Sequence, residues 1–132
     1  MSEHQNAKLL AGGQSLMPML NMRFVFPDDV IDLKYITGLD YIQNEGDSIA
    51  IGAMTRHREI EHSDLLKQRC PLFVDAIRHV GHVQIRNWGT IGGSLCHLDP
   101  AAELPVVAQA VDATIHVQSS RGKRAIPMAE FP

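Results

Sequence analysis

Cysteine is scarce in this chain: Cys70 and Cys96 are the two present, far apart in sequence and in no Cys-x-x-Cys pair. That argues against a disulfide framework and a self-contained zinc site. Long apolar runs are also missing, so a membrane-spanning segment is excluded. The polar start Met1-Ser2-Glu3-His4-Gln5-Asn6-Ala7-Lys8 lacks the charged-then-apolar order of a secretory leader, and the cytoplasm is the expected compartment. Positive charge is not in excess either. With a net charge of −3 and both signs interspersed, the chain has no field that would draw phosphate backbones, and nucleic acid is not an expected partner. The short basic clusters Arg56-His57-Arg58 and Arg121-Gly122-Lys123-Arg124 read as solvated turns. No internal repeat or low-complexity tract occurs.

What is present is the composition of a globular domain: 132 residues, 45% apolar and 20% charged, enough for one domain with a real core. Lys8-Leu9-Leu10-Ala11 runs straight into Gly12-Gly13, which predicts a buried strand ending in a tight turn. The Leu- and Met-rich stretch from Ser15 to Phe24 predicts a short buried helix, with Pro18 tolerated near its start. Val30-Ile31-Asp32-Leu33 reads as a strand. Residues 40–45 and 48–51 read as a hairpin turned by Asn44-Glu45-Gly46-Asp47.

Two helices are expected next, one over 56–70 and one over 71–80, where Leu72, Phe73, Ala76, Ile77 and Val80 recur near helical period. Cys70, before Pro71, is expected as a buried hydrophobe. Ala101 to Val111 predicts a helix, Ala113 to Gln118 an alternating strand, and Ser119-Ser120-Arg121-Gly122 a turn into a last strand ending near Pro127. Helices and strands mix without regular alternation, so the expected fold class is α+β rather than a doubly wound sheet.

Two glycine segments carry the chemistry. In Ala11-Gly12-Gly13-Gln14-Ser15-Leu16 the paired glycines sit between a strand and a helix start. Lacking Cβ atoms, they can take positive φ and aim successive backbone N–H groups at one anion, with Gln14 and Ser15 as further donors. A plain Gly-Gly turn is the competing reading. The second segment is Asn87-Trp88-Gly89-Thr90-Ile91-Gly92-Gly93-Ser94. Two donor-rich loops closing on a pyrophosphate from either side would match its charges and acceptor oxygens. Neither segment fits the Rossmann pattern G-x-G-x-x-G or the Walker pattern G-x-x-x-x-G-K-[ST].

Beyond the second segment, Glu103 is expected about one turn into the next helix. There it could accept hydrogen bonds from ribose or ribityl hydroxyls, or simply serve as a helix-start carboxylate. Asp99 before Pro100 reads as an N-cap. Cys96-His97 looks like a nucleophile and base, but adjacent side chains point apart and no orienting third group is evident, so a buried thiol and a polar loop histidine are preferred. His57 and His62 could share a helix face without a third ligand, and no metal site is expected.

Together, Ala11-Gly12-Gly13-Gln14-Ser15-Leu16 and Gln84-Ile85-Arg86-Asn87-Trp88-Gly89-Thr90-Ile91-Gly92-Gly93-Ser94 closely resemble the paired FAD loops of the medium subunits of molybdenum hydroxylases, of the carbon monoxide dehydrogenase and xanthine dehydrogenase type. Val30-Ile31-Asp32-Leu33 and Ile51-Gly52-Ala53-Met54-Thr55 also look like family segments. The resemblance spans nearly the whole chain. It implies an FAD-binding fold of the vanillyl-alcohol oxidase type with two lobes, a smaller one over residues 1–53 and a larger one over 54–132. The implied cofactor-binding set is Ala11, Gly12, Gly13, Gln14, Ser15, Leu16, Thr90, Ile91, Gly92, Gly93, Ser94 and Glu103; of these, Gly12, Gly13, Gln14, Ser15, Thr90, Gly92, Gly93 and Ser94 would hold the pyrophosphate and Glu103 sugar hydroxyls. No side chain here is implied as catalytic.

The resemblance further implies a hetero-oligomer. A large subunit bearing molybdopterin would oxidise the substrate, a small subunit with [2Fe–2S] clusters would relay electrons, and the flavin would pass them to oxygen, NAD, quinone or another acceptor. Three departures stand out: the stretch before the first loop is short, the family's C-terminal domain is missing after Pro132, and Ser94 stands where Asn or Asp is frequent. The first two suggest a chain truncated at both ends. The rival expectations are a cofactor-free fragment or interaction module that keeps the fold, and a stand-alone flavin oxidoreductase.

Overall fold

The computed structural model describes residues 5–132. The first four residues of the polar start, and of the 1–53 lobe, lie outside the described residues. The chain is α+β, with helices and strands in no regular alternation. The strands among the described residues form three two-stranded sheets. The first is parallel: β1 (Ala7–Leu10) pairs with β2 (Asp29–Asp32), in register Ala7 with Asp29 through Leu10 with Asp32, and α1 (Leu16–Asn21) lies between them in sequence. The second is the expected hairpin of β3 (Ile42–Glu45) and β4 (Ser48–Ile51), closed through Gly46-Asp47 with Gly46 at positive φ. The third pairs β5 (Thr114–Ser119) with β6 (Gly122–Pro127), and alternate residues Ile115 and Val117 of β5 are half-buried.

The first expected helix breaks in two. α2 (His57–His62) stops at Ser63, whose backbone is extended and whose Oγ accepts the Leu66 N–H at 3.2 Å, so Ser63 caps the start of α3 (Asp64–Arg69). Pro71 then opens α4 (Pro71–Ile77) at the first helical position. Two further helices occupy the stretch around the second glycine segment: α5 (Val83–Arg86) and α6 (Ile91–His97). α7 (Glu103–Ala110) follows, and Met128–Glu130 forms a closing 3-10 turn.

One hydrophobic cluster joins these helices. Ile60, Leu66, Phe73, Val74, Ile77, Ile91, Leu95, Leu104, Val107, Ala108 and Met128 make up its buried part, and Ile42, Ile49, Ile51 and Ile115 of the hairpins pack against it. Cys70 packs there too, half-buried rather than buried. Removing each such side chain from water contributes roughly 1.5–3 kcal/mol, so the core rests on this cluster. The N-terminal elements contribute little to it. β1 is a strand as expected, yet Ala7 is its one buried residue, and α1 buries none of its residues. Leu9, Met17, Met22, Phe24 and Phe26 are exposed. Their density of apolar side chains signalled burial, but no described element covers them. No helix among the described residues is long and apolar enough to cross a membrane.

Candidate functional site

The first glycine segment leaves β1 and enters α1 directly. Gly13 sits at φ +74, the left-handed turn expected of this pair, whereas Gly12 keeps an ordinary φ. The Gly13 and Ser15 carbonyls accept from Met17 and Met19, at 3.0 and 3.2 Å. The backbone N–H groups of Gly12, Gly13, Gln14, Ser15 and Leu16 have no acceptor among the described residues. Ser15 occupies the N-cap position without using its hydroxyl to cap. The Gln14 amide, expected as a free donor, instead bonds the Gly12 carbonyl at 3.1 Å.

The second segment is built differently from expectation. Thr90 is extended and buried, and its Oγ1 accepts the Gly93 N–H at 3.2 Å, capping α6. Gly92 and Gly93 therefore lie in the first helical turn rather than in a positive-φ loop. The Ile91 N–H donates to the Thr55 carbonyl, that of Gly92 to Ala53 and that of Ser94 to Thr90, at 2.9–3.0 Å. The Ile91, Gly92, Gly93 and Ser94 amides are thus spent on holding the segment in place. What it offers outward is its shape and the Ser94 hydroxyl on α6, at a half-buried position.

The two segments meet. A Cβ on Gly12 would collide with the Trp88 carbonyl oxygen and stand 2.8 Å from the Gly89 Cα. One on Gly93 would lie 3.6 Å from the Ala11 Cβ. The structure therefore brings Ala11 and Gly12 against Trp88, Gly89 and Gly93. Glu103 is the first residue of α7, not a turn into it, and α7 packs on α6. Asp99 does not cap α7. Its carboxylate accepts the Ala101 N–H at 2.8 Å, and the N-cap position belongs to Ala102. Cys96 and His97 are both exposed at the end of α6 rather than a buried thiol and a loop residue. Desolvation around its sulfur nonetheless pushes the Cys96 thiol up.

Three features escaped the sequence reading. Ala53 and Thr55 act through their carbonyls as the acceptors for α6. The Thr55 side chain, 1% exposed, also accepts the Tyr41 N–H at 3.1 Å and donates to the Tyr41 carbonyl at 2.9 Å. Arg56-His57-Arg58 is not a solvated turn. Arg56 stacks over the Trp88 ring at 4.9 Å and donates to the Asn87 carbonyl, while His57 is buried with neither ring nitrogen in a well-formed hydrogen bond among the described residues. Burial lowers the His57 pKa, with the Arg86 charge in the same direction and the Thr90 backbone and the Glu103 charge opposing. Arg86 is itself 8% exposed and donates to Glu61 at 3.2 Å and to the Val80 and Gly81 carbonyls. No local sequence signal marks the Arg86–Glu61 pair, whose members lie 25 residues apart. No group of three or more His, Cys, Asp or Glu side chains suited to a metal ion occurs among the described residues.

A family model for the FAD-binding domain in molybdopterin dehydrogenase matches residues 1–132. Subunit alpha of the 6-hydroxypseudooxynicotine dehydrogenase complex of Paenarthrobacter nicotinovorans is 48% identical over 126 residues, covering 96% of this chain and 43% of that protein. The medium chain of glyceraldehyde dehydrogenase from Sulfolobus acidocaldarius is 41% identical over 128 residues, covering 97% and 46%. Among solved structures, carbon monoxide dehydrogenase from Hydrogenophaga pseudoflava superposes with a TM-score of 0.93 at 39% identity, over 95% of this chain and 44% of that one. Quinoline 2-oxidoreductase from Pseudomonas putida 86 gives 0.94 at 34% identity, over 96% and 45%. The chain spans less than half the length of these relatives.

Proposed function

The chain belongs to the family of FAD-binding domains of molybdopterin dehydrogenases, and we propose on that premise that it holds FAD where its two glycine segments meet and serves electron transfer in a larger complex. The observation that carries this is the contact of Gly12 with Trp88 and Gly89, next to a run of backbone N–H groups from Gly12 to Leu16 with no acceptor among the described residues. Successive unpaired amides at a positive-φ turn suit a diphosphate, which is anionic and rich in acceptor oxygens.

The roles divide accordingly. Gly12, Gly13, Gln14, Ser15 and Leu16 supply backbone donors, with the Ser15 hydroxyl beside them. Ala11, Thr90, Ile91, Gly92 and Gly93 fix the opposing wall, Ser94 adds a hydroxyl, and Glu103 accepts from sugar hydroxyls. FAD, when bound, supplies the redox chemistry. The chain's own part is to bind the cofactor, orient it and exclude water from the diphosphate.

The same reading divides the chain into a smaller lobe over 1–53 and a larger one over 54–132. The fully buried members of the main cluster all fall within residues 60–128, which supports that division, while Ile42, Ile49 and Ile51 pack against it from the smaller lobe. It places the protein in the cytoplasm as the oxidoreductase component of a hetero-oligomer, beside a molybdopterin-binding large subunit and a [2Fe–2S] small subunit. The flavin passes electrons onward to an external acceptor. The relatives' names, as chains and subunits of dehydrogenase complexes, support that assembly.

The test is reconstitution with FAD, following the bound-flavin spectrum in the parent protein and in Gly13→Asp, with circular dichroism as the control for folding. Gly13 faces the flexible Met17 side chain at a positive φ, so the substitution adds a negative charge beside the unpaired amides together with backbone strain, which the folding control reads separately. Loss of bound flavin in a folded variant is expected. Full retention would overturn the diphosphate assignment, and NAD(P)H turnover without partner subunits would favour a stand-alone flavin enzyme.

A further inference from the structure

We propose that His57 is a positioning residue of this site: its neutral imidazole fills the space behind Gly89, holds Trp88 and Gly89 against Gly12, and releases that contact when it is protonated. The part of this that concerns the cofactor rests on the function proposed above. The part that concerns the protein does not.

In Arg56-His57-Arg58 the histidine has a cation on either side, yet it is 5% exposed while both arginines reach outward, Arg56 to the Trp88 ring and Arg58 to Glu61. Main chain and side chain of His57 then grip the same residue. Its backbone N–H donates to the Gly89 carbonyl at 2.9 Å, and its ring Cε1 and Nδ1 each lie 2.9 Å from the position a Gly89 Cβ would occupy. Gly89 in turn is in contact with Gly12 of the first segment. Ring, Gly89 and Gly12 therefore form one line of van der Waals contact, and the separation of the two cofactor segments depends on the shape at its buried end.

That end tolerates a neutral ring and not a charged one. Neither imidazole nitrogen makes a well-formed hydrogen bond among the described residues, and only the Thr90 backbone is near enough to favour a second proton by hydrogen bonding, so the charged ring would sit in a dry site with little to receive it. The charges that act on the ring from neighbouring elements are Arg86 of α5, which repels a cation, and Glu103 of α7, which attracts one. On α4, Asp75 and Arg78 face solvent and pair with each other, and on α2 itself Glu59 caps the helix start and Glu61 pairs with Arg86. Burial outweighs both the Thr90 backbone and the Glu103 attraction, and the pKa falls below its ordinary value of 6.5. The sign follows. A depressed folded-state pKa means that the unfolded chain takes up the proton first, so this contribution to stability is complete above 6.5 and is lost as pH falls toward the folded value.

The experiment uses the full chain, with and without FAD, from neutral to mildly acidic pH. In the parent, flavin affinity should fall about tenfold for each pH unit over which His57 titrates differently in the holding and released states. His57→Gln should bind FAD more weakly at neutral pH and lose that acid limb. An identical acid limb in both proteins would overturn the proposal. If neither binds flavin at neutral pH, the function proposed above fails, and the flavin-free unfolding midpoint still decides for His57: it should fall more steeply with acid in the parent. Should His57→Gln not fold, the ring-proton NMR titration of His57 in the parent decides. A midpoint below 6.5 supports the assignment, and one at or above it overturns it.

Discussion

The backbone of Gly12 packs on the carbonyl of Trp88 with no room between them for a β-carbon. The obstructing atoms are main chain on both sides, so they cannot rotate away as a side-chain tip could. Gly12→Ala must therefore separate the two cofactor segments or distort one of them. A cost at or above the ~1–3 kcal/mol of ordinary overpacking is expected, visible as a thermal midpoint several degrees lower. A parent-like midpoint with retained flavin would mean that the segments do not touch in solution.

Gly13 answers to a different constraint. Its φ of +74 is one that an L residue adopts at a cost of about 1–2 kcal/mol, while its nearest neighbours are the movable Met17 and Leu10 side chains. Gly13→Ala should destabilise the fold less than Gly12→Ala and weaken FAD more than it weakens the fold. Gly13→Asn, which tolerates the left-handed region better, should lie between alanine and glycine. Chemical denaturation set beside flavin titration separates the two effects, and an Asn variant worse than Ala in stability would contradict the conformational argument.

Much of the fold was legible because its signals are local. Gly46-Asp47 between apolar runs gave the first hairpin, and the alternation of Ile115 and Val117 gave a half-buried strand of the second. The break at Ser63 was not legible, because a serine side chain that caps inward leaves the apolar spacing of the helices on either side unchanged. Gly92-Gly93 misled for a related reason. Paired glycines usually mark a turn, but here a capped helix begins at Ile91 and the missing β-carbon on Gly92 admits the Ala53 carbonyl. The expectation was of two loops closing on one ligand from either side, and their direct contact through Gly12 and Trp88 was not anticipated. That one keeps its amides and the other spends them depends on Ala53 and Thr55, which are distant in sequence from both.

Thr90 should matter through one hydrogen bond. Thr90→Val keeps the shape and removes the Oγ1 that accepts the Gly93 N–H. The loss of such a cap costs about 0.5–2 kcal/mol. Thr90→Ser should recover most of it, and the Gly93 amide should exchange with deuterium faster in the valine variant than in the serine variant. Equal protection in both would show that α6 is held by Ala53 and Thr55 alone.

The cysteine at the end of α6 has an environment at odds with its exposure. Cys96 is exposed as a residue, yet desolvation around the sulfur raises its pKa above the ordinary thiol value. Since the thiolate is the reactive form, alkylation by iodoacetamide near neutral pH should be slower than for a free thiol, with a rate that climbs until well into the alkaline range. Reaction at least as fast as a free thiol near neutral pH would show that the sulfur is solvated.

Arg86 links the stability of the helices to the titration of His57. Its guanidinium, 8% exposed, donates to Glu61, whose side chain is 14% exposed, and to the carbonyls of Val80 and Gly81. Removing one member of a buried, hydrogen-bonded pair costs about 3–5 kcal/mol because the other is left without compensation. Arg86→Met should therefore destabilise strongly, and the double variant with Glu61→Gln should recover part of the loss. The substitution also withdraws a charge that lowers the His57 pKa, so the folded-state value rises toward that of the unfolded chain and the acid-sensitive range narrows. Urea unfolding of the single and double variants across mildly acidic pH measures both consequences. Loss of stability with an unchanged acid dependence would mean that Arg86 braces α2 and α5 without acting on His57.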